Sequence, residues 1–331
     1  MNDKTTTVLE KYDIEVLRSW KGRGAILCET KTGIKILKEY KGSPARLEVQ
    51  HQLLQNIREK RYTNIEEILS TREGDLLAKD EEGTSYYLKE YKEGKECNVK
   101  EYQDCSKAVE QMAVLHEVMK MPEFVKEKQI EPYSLLGEYE KHNKELRHVK
   151  KYLKEKRQKN AFEYYLYQHF DDFLTKAEKI LEAVKKQAAI FSEESLIKNG
   201  NLCHGDLQHH NVIFTNDEIY FLNFEKYVLD SPMRDFSLFF RKMMEKNNWS
   251  KELGQFILES YQKKRWISEE EKYQLYYRLS YPEKFWKIVN FYYNSPKTWI
   301  PEKNMEKLEK IWKQEEEKRI FLENNYKKWL K

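Results

Sequence analysis

The stretch that decides the fold is His204-Gly205-Asp206-Leu207-Gln208-His209-His210-Asn211, which lies between a helical region and a short predicted hairpin. Phosphoryl transfer needs a carboxylate that orients the attacking hydroxyl and a nearby oxygen ligand that holds Mg²⁺. An Asp followed five residues later by an Asn offers both groups from one loop. We therefore predict that Asp206 is a catalytic base, that Asn211 is a metal ligand and that His204 braces the loop by hydrogen bonding. The alternative is a polar turn that has this pattern by chance.

Upstream of this loop, the chain changes character near residue 94. Two hairpin patterns come first: AILCET with IKILKEY over 25–40, and DLLAK with SYYLKEY over 75–91. A helical pattern between them begins at Ser43 and Pro44, which are typical of an N-cap and a first helical turn. Later segments are long, charged and helical in spacing. We predict an α+β fold with two lobes, a small β-rich lobe at 1–93 and a mostly helical lobe at 94–331.

The loop motif H-G-D-x-x-x-x-N, followed by a hairpin and a second acidic loop, resembles the aminoglycoside-phosphotransferase and choline-kinase superfamily. More narrowly, Thr32-Gly33 with Leu37-Lys38, the helix end at Leu115-His116 and NFEKYVLDSPMRDFSLFFRK (223–242) are similar to the CotS family. That family comprises kinase-like proteins associated with the spore coat of endospore-forming bacteria. The resemblance implies a bilobal protein-kinase-like fold, an ATP site between the lobes and residence in the spore coat.

One position departs from the superfamily pattern, which places an Asp that binds Mg²⁺ at the start of the loop after the hairpin. This chain has Asn223 there, and an Asn offers one neutral oxygen where a carboxylate offers charge and two oxygens. We therefore predict weakened Mg²⁺ binding at Asn223, with Glu225 as a further candidate metal ligand. The superfamily also implies that Asp235 supports the catalytic loop, although an ordinary carboxylate at a helix N-terminus is an alternative.

The resemblance also predicts contacts to ATP. In kinase-like folds a lysine at the position of Lys38 contacts the α- and β-phosphates and pairs with a helix Glu, for which Glu48 is the candidate. A surface lysine is the alternative, and strand alternation places the competing Lys35 on the opposite face. Backbone groups of Glu90 and Tyr91 would bind adenine at the inter-lobe hinge. An edge strand that leads into a loop explains those two residues equally well.

Two functions are open at this point. The first is a kinase that transfers the ATP γ-phosphate to a hydroxyl of a small molecule or a coat component. The second is a catalytically impaired pseudokinase that serves as a structural or scaffolding component of the spore coat, with other spore-coat proteins as partners.

Composition and charge exclude some other classes. Lys and Arg total 60 against 56 Asp and Glu, a net charge of +4, and the signs alternate along the chain. We therefore expect no nucleic-acid partner. The N-terminus lacks the pattern of a secretory signal, and no apolar run approaches the roughly 18 residues of a membrane span. Four cysteines without a C-x-x-C pair favour a reducing compartment. We expect synthesis in the cytoplasm and no membrane association.

Overall fold

The computed structural model describes five stretches of the chain, residues 3–22, 24–122, 130–216, 218–294 and 302–329. The chain forms two compact units. The first combines Met1–Glu131 with Leu202–Val228, and the second combines Pro132–Asn201 with Leu229–Lys331. The loop motif at 204–211 therefore belongs to the first unit. These units are a different division of the chain from the two lobes predicted at 1–93 and 94–331, and the predicted lobe boundary stays a prediction.

The described residues of the first unit form two antiparallel sheets and three α-helices. The larger sheet has the strand order β1-β2-β3-β6-β4, with β5 also paired to β6, and the smaller has the order β10-β9-β7. The elements are α1 (Asp3–Leu9), β1 (Val16–Gly22), β2 (Ala25–Thr30), β3 (Gly33–Glu39), α2 (Pro44–Glu59), β4 (Ile68–Leu69), β5 (Ala78–Lys79), β6 (Ser85–Glu90), β7 (Lys95–Glu96), α3 (Tyr102–Val118), β8 (Leu202–Cys203), β9 (Val212–Phe214) and β10 (Ile219–Phe221).

The pairing of β3 with β6 sorts side chains onto the two faces of the larger sheet. Lys38 is directly opposite Tyr87, and Lys35 is opposite Glu90. The Lys35 ammonium lies 2.6 Å from the Glu90 carboxylate, on the face that also buries Leu37 in the core. Because side chains alternate along a strand, Lys38 and Tyr87 share the other face. The hairpin and the alternation predicted for β3 are thus present in the structure.

Helix α2 begins as its sequence predicts. The Ser43 hydroxyl accepts a hydrogen bond from the Arg46 backbone N–H, and Pro44 occupies the first turn, where its missing N–H costs nothing. Its buried face includes Leu47, Gln50, Leu53, Leu54 and Ile57. Gln50 therefore lies towards the protein interior, whereas Glu48 is exposed.

A short parallel contact joins the two chain stretches of the first unit. Ile65 pairs with Phe221 of β10 in an isolated bridge. The Glu66 backbone N–H donates to the Phe221 carbonyl at 3.1 Å, and the Phe221 N–H donates to the Asn64 carbonyl at 3.0 Å. As a result, Glu66 lies next to the residues that follow β10.

The second unit is helical. It contains α4 (Leu135–Glu155), α5 (Ala161–Lys186), α6 (Glu193–Asn199), α7 (Met233–Lys246), α8 (Lys251–Gln262), α9 (Glu269–Ser280), α10 (Glu283–Asn294), α11 (Glu302–Lys313) and α12 (Glu315–Trp329), and the chain enters it for the second time within β11 (Val228–Leu229). The core includes stacked aromatic rings such as Phe173 on Phe285. Among the described residues, no helix is long and apolar enough to cross a bilayer.

Candidate functional site

His204 holds the loop motif against the end of the hairpin. Its ring is fully buried, and Nε2 lies 2.8 Å from the Leu222 carbonyl oxygen. The Asp206 backbone N–H donates to Nδ1 at 3.2 Å. With Nδ1 as acceptor, Nε2 carries the proton and donates to Leu222. These contacts are of the kind that the predicted bracing role requires.

Gly205 allows the loop to pass close to the segment after the hairpin. Its φ is +83°, and a Cβ atom at this position would lie 1.9 Å from the Lys226 carbonyl oxygen. Both the left-handed conformation and the close approach exclude a larger residue. The glycine therefore brings Asp206 and Lys226 into contact range.

Asp206, the predicted catalytic base, has both carboxylate oxygens engaged. Oδ1 accepts a hydrogen bond from Gln208 Nε2 at 2.6 Å, and Oδ2 accepts one from Lys226 Nζ at 2.8 Å. Burial alone would raise the pKa of Asp206, but the hydrogen bonds from Lys226 and Gln208 outweigh it and lower the pKa below its ordinary value. The carboxylate is therefore ionised near neutral pH.

The two predicted amide ligands bind each other. Asn223 Nδ2 donates to Asn211 Oδ1 at 2.8 Å, while Asn211 Nδ2 donates to the Asp206 carbonyl oxygen, also at 2.8 Å. Asn223 has a φ of +70°, a left-handed conformation that Asn tolerates better than most residues. The side-chain oxygen of Asn211 thus faces an N–H donor.

The buried ion pair of Lys89 and Glu66 lies next to the side-chain oxygen of Asn223. Lys89 Nζ lies 2.8 Å from Asn223 Oδ1 and 2.6 Å from Glu66 Oε2. The Glu66 side chain is 0% exposed and also accepts hydrogen bonds from the backbone N–H groups of Asn223 and Phe224 and from Gln50 Nε2. Every oxygen of this carboxylate is satisfied, as a buried charge requires.

Lys38 pairs with Glu225. Lys38 Nζ and the Tyr87 hydroxyl both donate to Glu225 Oε1, at 2.6 and 2.7 Å. Burial would raise the pKa of Glu225, but the charges of Lys89 and Lys38 and the hydrogen bonds from Lys38 and Tyr87 lower it to about 2. The predicted partner Glu48 is exposed, and its carboxylate accepts from Gln52 on the same helix. The structure therefore pairs Lys38 with a residue of the loop after β10 and not with α2.

This lowered pKa predicts a pH dependence of stability. The pKa of Glu225 is lower in the folded protein than its ordinary value of 4.5. The ionised carboxylate therefore stabilises the fold above pH 4.5, and this contribution is lost as the pH falls towards about 2. We expect Glu225→Gln to reduce the loss of unfolding free energy between pH 6 and pH 3, measured by urea denaturation at each pH.

The control for this prediction is Glu39→Gln, which changes an exposed glutamate at the end of β3. It should leave the difference between pH 6 and pH 3 at the wild-type value. An equal pH dependence in wild type and Glu225→Gln would contradict the role given to Glu225.

The arrangement around Asn223 does not fit a divalent cation. Asn223 Oδ1 faces the Lys89 ammonium, and Asn211 Oδ1 faces an amide N–H. Glu225, the acidic residue predicted as a further metal ligand, has one oxygen bound to Lys38 and Tyr87. Mg²⁺ requires several oxygens with free lone pairs in an octahedral arrangement. These side chains instead satisfy one another.

The predicted hinge residues lie at the end of β6. The Glu90 backbone N–H donates to the Glu67 carbonyl at 2.9 Å, and the Tyr91 N–H donates to the Ile34 carbonyl at 3.1 Å. Both backbone N–H groups therefore already donate within the protein. Adenine binding by backbone groups of Glu90 and Tyr91 stays a prediction. Asp235 lies in the second unit, fully buried in the first turn of α7, and its supporting role also stays a prediction.

Three of the charged residues described above were not among the predicted ones: Glu66, Lys89 and Lys226. Strand alternation from Lys38 and its cross-strand neighbour would have placed Lys89 on the face of the site. No local pattern indicates Glu66, because it reaches the site only through the contact between residues 64–66 and β10. Lys226 approaches Asp206 only because the loop folds back over Gly205.

Solved structures similar to this chain include phosphotransferases. An aminoglycoside phosphotransferase from Alicyclobacillus acidocaldarius superposes with a TM-score of 0.86 at 19% identity, covering 98% of this chain and 96% of that chain. Spectinomycin phosphotransferase in complex with ADP and spectinomycin gives 0.62 at 16% identity, covering 93% and 92%. Amicoumacin kinase in complex with AMP-PNP and Ca²⁺ gives 0.62 at 12% identity, covering 96% and 94%.

At identities this low, the structural similarity establishes the fold alone. It confirms the predicted α+β kinase-like class, with aminoglycoside phosphotransferases as structural relatives. The family model described as spore coat putative kinase YutH matches residues 5–325. The chain therefore belongs to the YutH family of spore coat kinase-like proteins, which confirms the predicted resemblance to the CotS group. No curated protein sequence matches the chain.

Proposed function

We propose that this chain is a catalytically impaired kinase-like protein of the spore coat, in which a lysine replaces the divalent cation of a working phosphotransferase. The observation that carries the proposal is the position of the Lys89 ammonium, 2.6 Å from Glu66 and 2.8 Å from Asn223. A divalent ion within about 4 Å of this ammonium would be opposed by roughly 8 kcal/mol at an effective dielectric constant of about 20. The Glu66 carboxylate offsets part of this repulsion, but both of its oxygens already accept hydrogen bonds and neither is free to bind the ion.

ATP is the proposed ligand, bound weakly and independently of Mg²⁺. Support comes from the similar structures of phosphotransferases in complex with ADP or AMP-PNP. The Lys38 side chain is about one-third exposed, so its ammonium is accessible to a phosphate that displaces Glu225. Lys38 and Lys89 would then supply the positive charge near the phosphates that a metal ion supplies in active kinases.

A second candidate function is a working phosphotransferase in which Glu225 is the metal ligand. It is favoured by the low pKa values of Asp206 and Glu225, which keep both carboxylates ionised. This function requires Glu225 to leave Lys38 and Tyr87, and it requires a hydroxyl acceptor, either a small molecule or a coat component. The partners in either case would be other proteins of the spore coat.

The decisive experiment compares ATP binding with Mg²⁺ and with EDTA by isothermal titration calorimetry, together with an ATPase assay. For wild type we expect equal affinity in both conditions and no ATPase activity above that of Asp206→Ala. For the double variant Lys89→Met with Asn223→Asp, the ammonium is gone and a carboxylate is restored. We expect its ATP affinity to rise at least about tenfold with Mg²⁺, equivalent to about 1.4 kcal/mol.

The matched control is Lys92→Met, which removes a lysine that lies just beyond β6 over the Tyr220 ring. It should bind ATP like wild type. A wild-type affinity that depends tenfold or more on Mg²⁺, or Mg²⁺-stimulated turnover lost in Asp206→Ala, would refute the impaired-kinase proposal and favour the second candidate. In a sporulating host, an impaired kinase predicts that Asp206→Ala leaves coat assembly intact.

A further inference from the structure

Three metal-ligating side chains of the second unit come together near the start of α4 and the start of α10. Glu138 and His142 are one helical turn apart on α4, and Glu283 is the first residue of α10. One ligand atom from each lies within 4.8 Å of the others. We propose that Glu138, His142 and Glu283 bind a divalent transition-metal ion of the Zn²⁺ class.

The buried nitrogen of His142 is the independent observation that points to a ligand. The His142 side chain is 5% exposed, and Nδ1 has no hydrogen-bond partner. The Glu283 carboxylate lies 3.6 Å from Nδ1, beyond hydrogen-bond range. A buried polar atom without a partner costs free energy. A metal ion between the nitrogen and the two carboxylates would satisfy it.

Neighbouring contacts hold the three groups in position. The His142 ring stacks on Trp286, with ring centroids 3.4 Å apart and an interplanar angle of 18°. Trp286 Nε1 in turn donates to Glu145 at 2.7 Å. Glu283 Oε1 lies 3.1 Å from Lys287 Nζ, so that its other oxygen points to the imidazole. Such outer contacts fix the orientation of metal ligands.

The donor set determines which ion fits. One imidazole nitrogen and two carboxylate oxygens are ligands that Zn²⁺ accepts, and three protein ligands leave a fourth position for water. Mg²⁺ and Ca²⁺ prefer sites made of oxygen alone. A divalent ion would also neutralise the two partly buried carboxylates and link α4 to α10. This site shares no residue with the one around Asn223 and does not depend on the proposed function.

The test is a calorimetric titration of tag-free, EDTA-treated protein with Zn²⁺, and a parallel titration with Co²⁺ followed by its visible absorption. We expect one ion per chain. Glu138→Gln, Glu283→Gln and His142→Ala should each weaken binding by at least about tenfold, because each removes a direct ligand. His148→Ala is the matched control, since His148 is an exposed histidine of the same helix, and it should bind like wild type.

Two results would overturn the proposal: no Zn²⁺ binding at micromolar concentrations, or equal binding by wild type and the three ligand variants. The two Glu→Gln variants preserve side-chain volume, so they remain informative should His142→Ala fail to fold. Circular dichroism of each variant establishes its folded state before titration.

Discussion

Glu66→Gln should lower the free energy of unfolding by about 3–5 kcal/mol, measured by urea denaturation followed by circular dichroism. The substitution leaves the Lys89 ammonium in the protein interior without its carboxylate, and removal of one partner from a buried ion pair has a cost of this size. It also replaces one of the two carboxylate oxygens with an N–H₂ group, so that either the Asn223 or the Phe224 backbone N–H, both of which donate to Glu66, faces another donor.

Two comparisons separate this effect from a general loss of charge. Glu48→Gln removes a carboxylate from the exposed face of α2 and should change the stability by less than about 0.5 kcal/mol. The double variant Glu66→Leu with Lys89→Met removes both charges and should regain only the part of the loss that comes from the unpaired ammonium, because the backbone N–H groups of Asn223 and Phe224 still lack an acceptor. A loss below about 1 kcal/mol in Glu66→Gln would contradict the interpretation of this pair.

Gly205→Ala should be the most damaging conservative change in the loop motif, with a loss of about 2–5 kcal/mol in unfolding free energy. About 1–2 kcal/mol comes from forcing a residue with a Cβ into the left-handed region. The rest comes from overlap, since the new methyl group would lie 1.9 Å from the Lys226 carbonyl oxygen, a backbone atom that cannot rotate away. Thermal unfolding followed by circular dichroism measures the loss.

Gly83→Ala isolates the conformational part of that loss. Gly83 has the same φ of +83°, in the turn between β5 and β6, and a Cβ there meets no atom within 4 Å. We expect a cost of about 1–2 kcal/mol for this variant. Equal costs for the two alanine variants would show that the contact between Gly205 and Lys226 does not constrain the loop.

Local features of the fold were predictable because short-range chemistry determines them. The β2–β3 hairpin follows from two β-prone runs around a Gly-containing turn, and the start of α2 follows from Ser43 and Pro44. The hydrogen bonds of His204 lie within a few residues of the motif or at the end of the adjacent hairpin. In each case the interacting groups lie at most 18 residues apart along the chain.

The partner of Lys38 was not predicted, because it depends on a long-range contact. A helix Glu was expected, but the apolar positions of α2 place Gln50 inward and Glu48 outward. The inward face of α2 therefore offers no carboxylate to Lys38. Helical periodicity alone would have shown this, whereas the pairing with Glu225 required knowledge of how the loop after β10 folds.

Weak metal binding at Asn223 is predicted from a single residue, the Asn that stands where the superfamily has an Asp. The structure adds that the amide is complementary to its surroundings: its oxygen accepts from Lys89 and its nitrogen donates to Asn211. An Asp at this position would lack the N–H donor that Asn211 uses. The Asn, the Lys and the buried Glu66 are therefore best understood as one set of compensating residues, which a single sequence does not show.

The division of the first unit into two chain stretches has a consequence for synthesis on the ribosome. Residues 64–66 pair with β10 and β7 pairs with β9, and both β9 and β10 follow after residues 132–201 have been made. At about 5–20 residues per second, the nascent chain waits several seconds with these strand edges unpaired. During that interval the incomplete sheet is open to wrong partners, and its protection depends on what the emerging helices or chaperones cover.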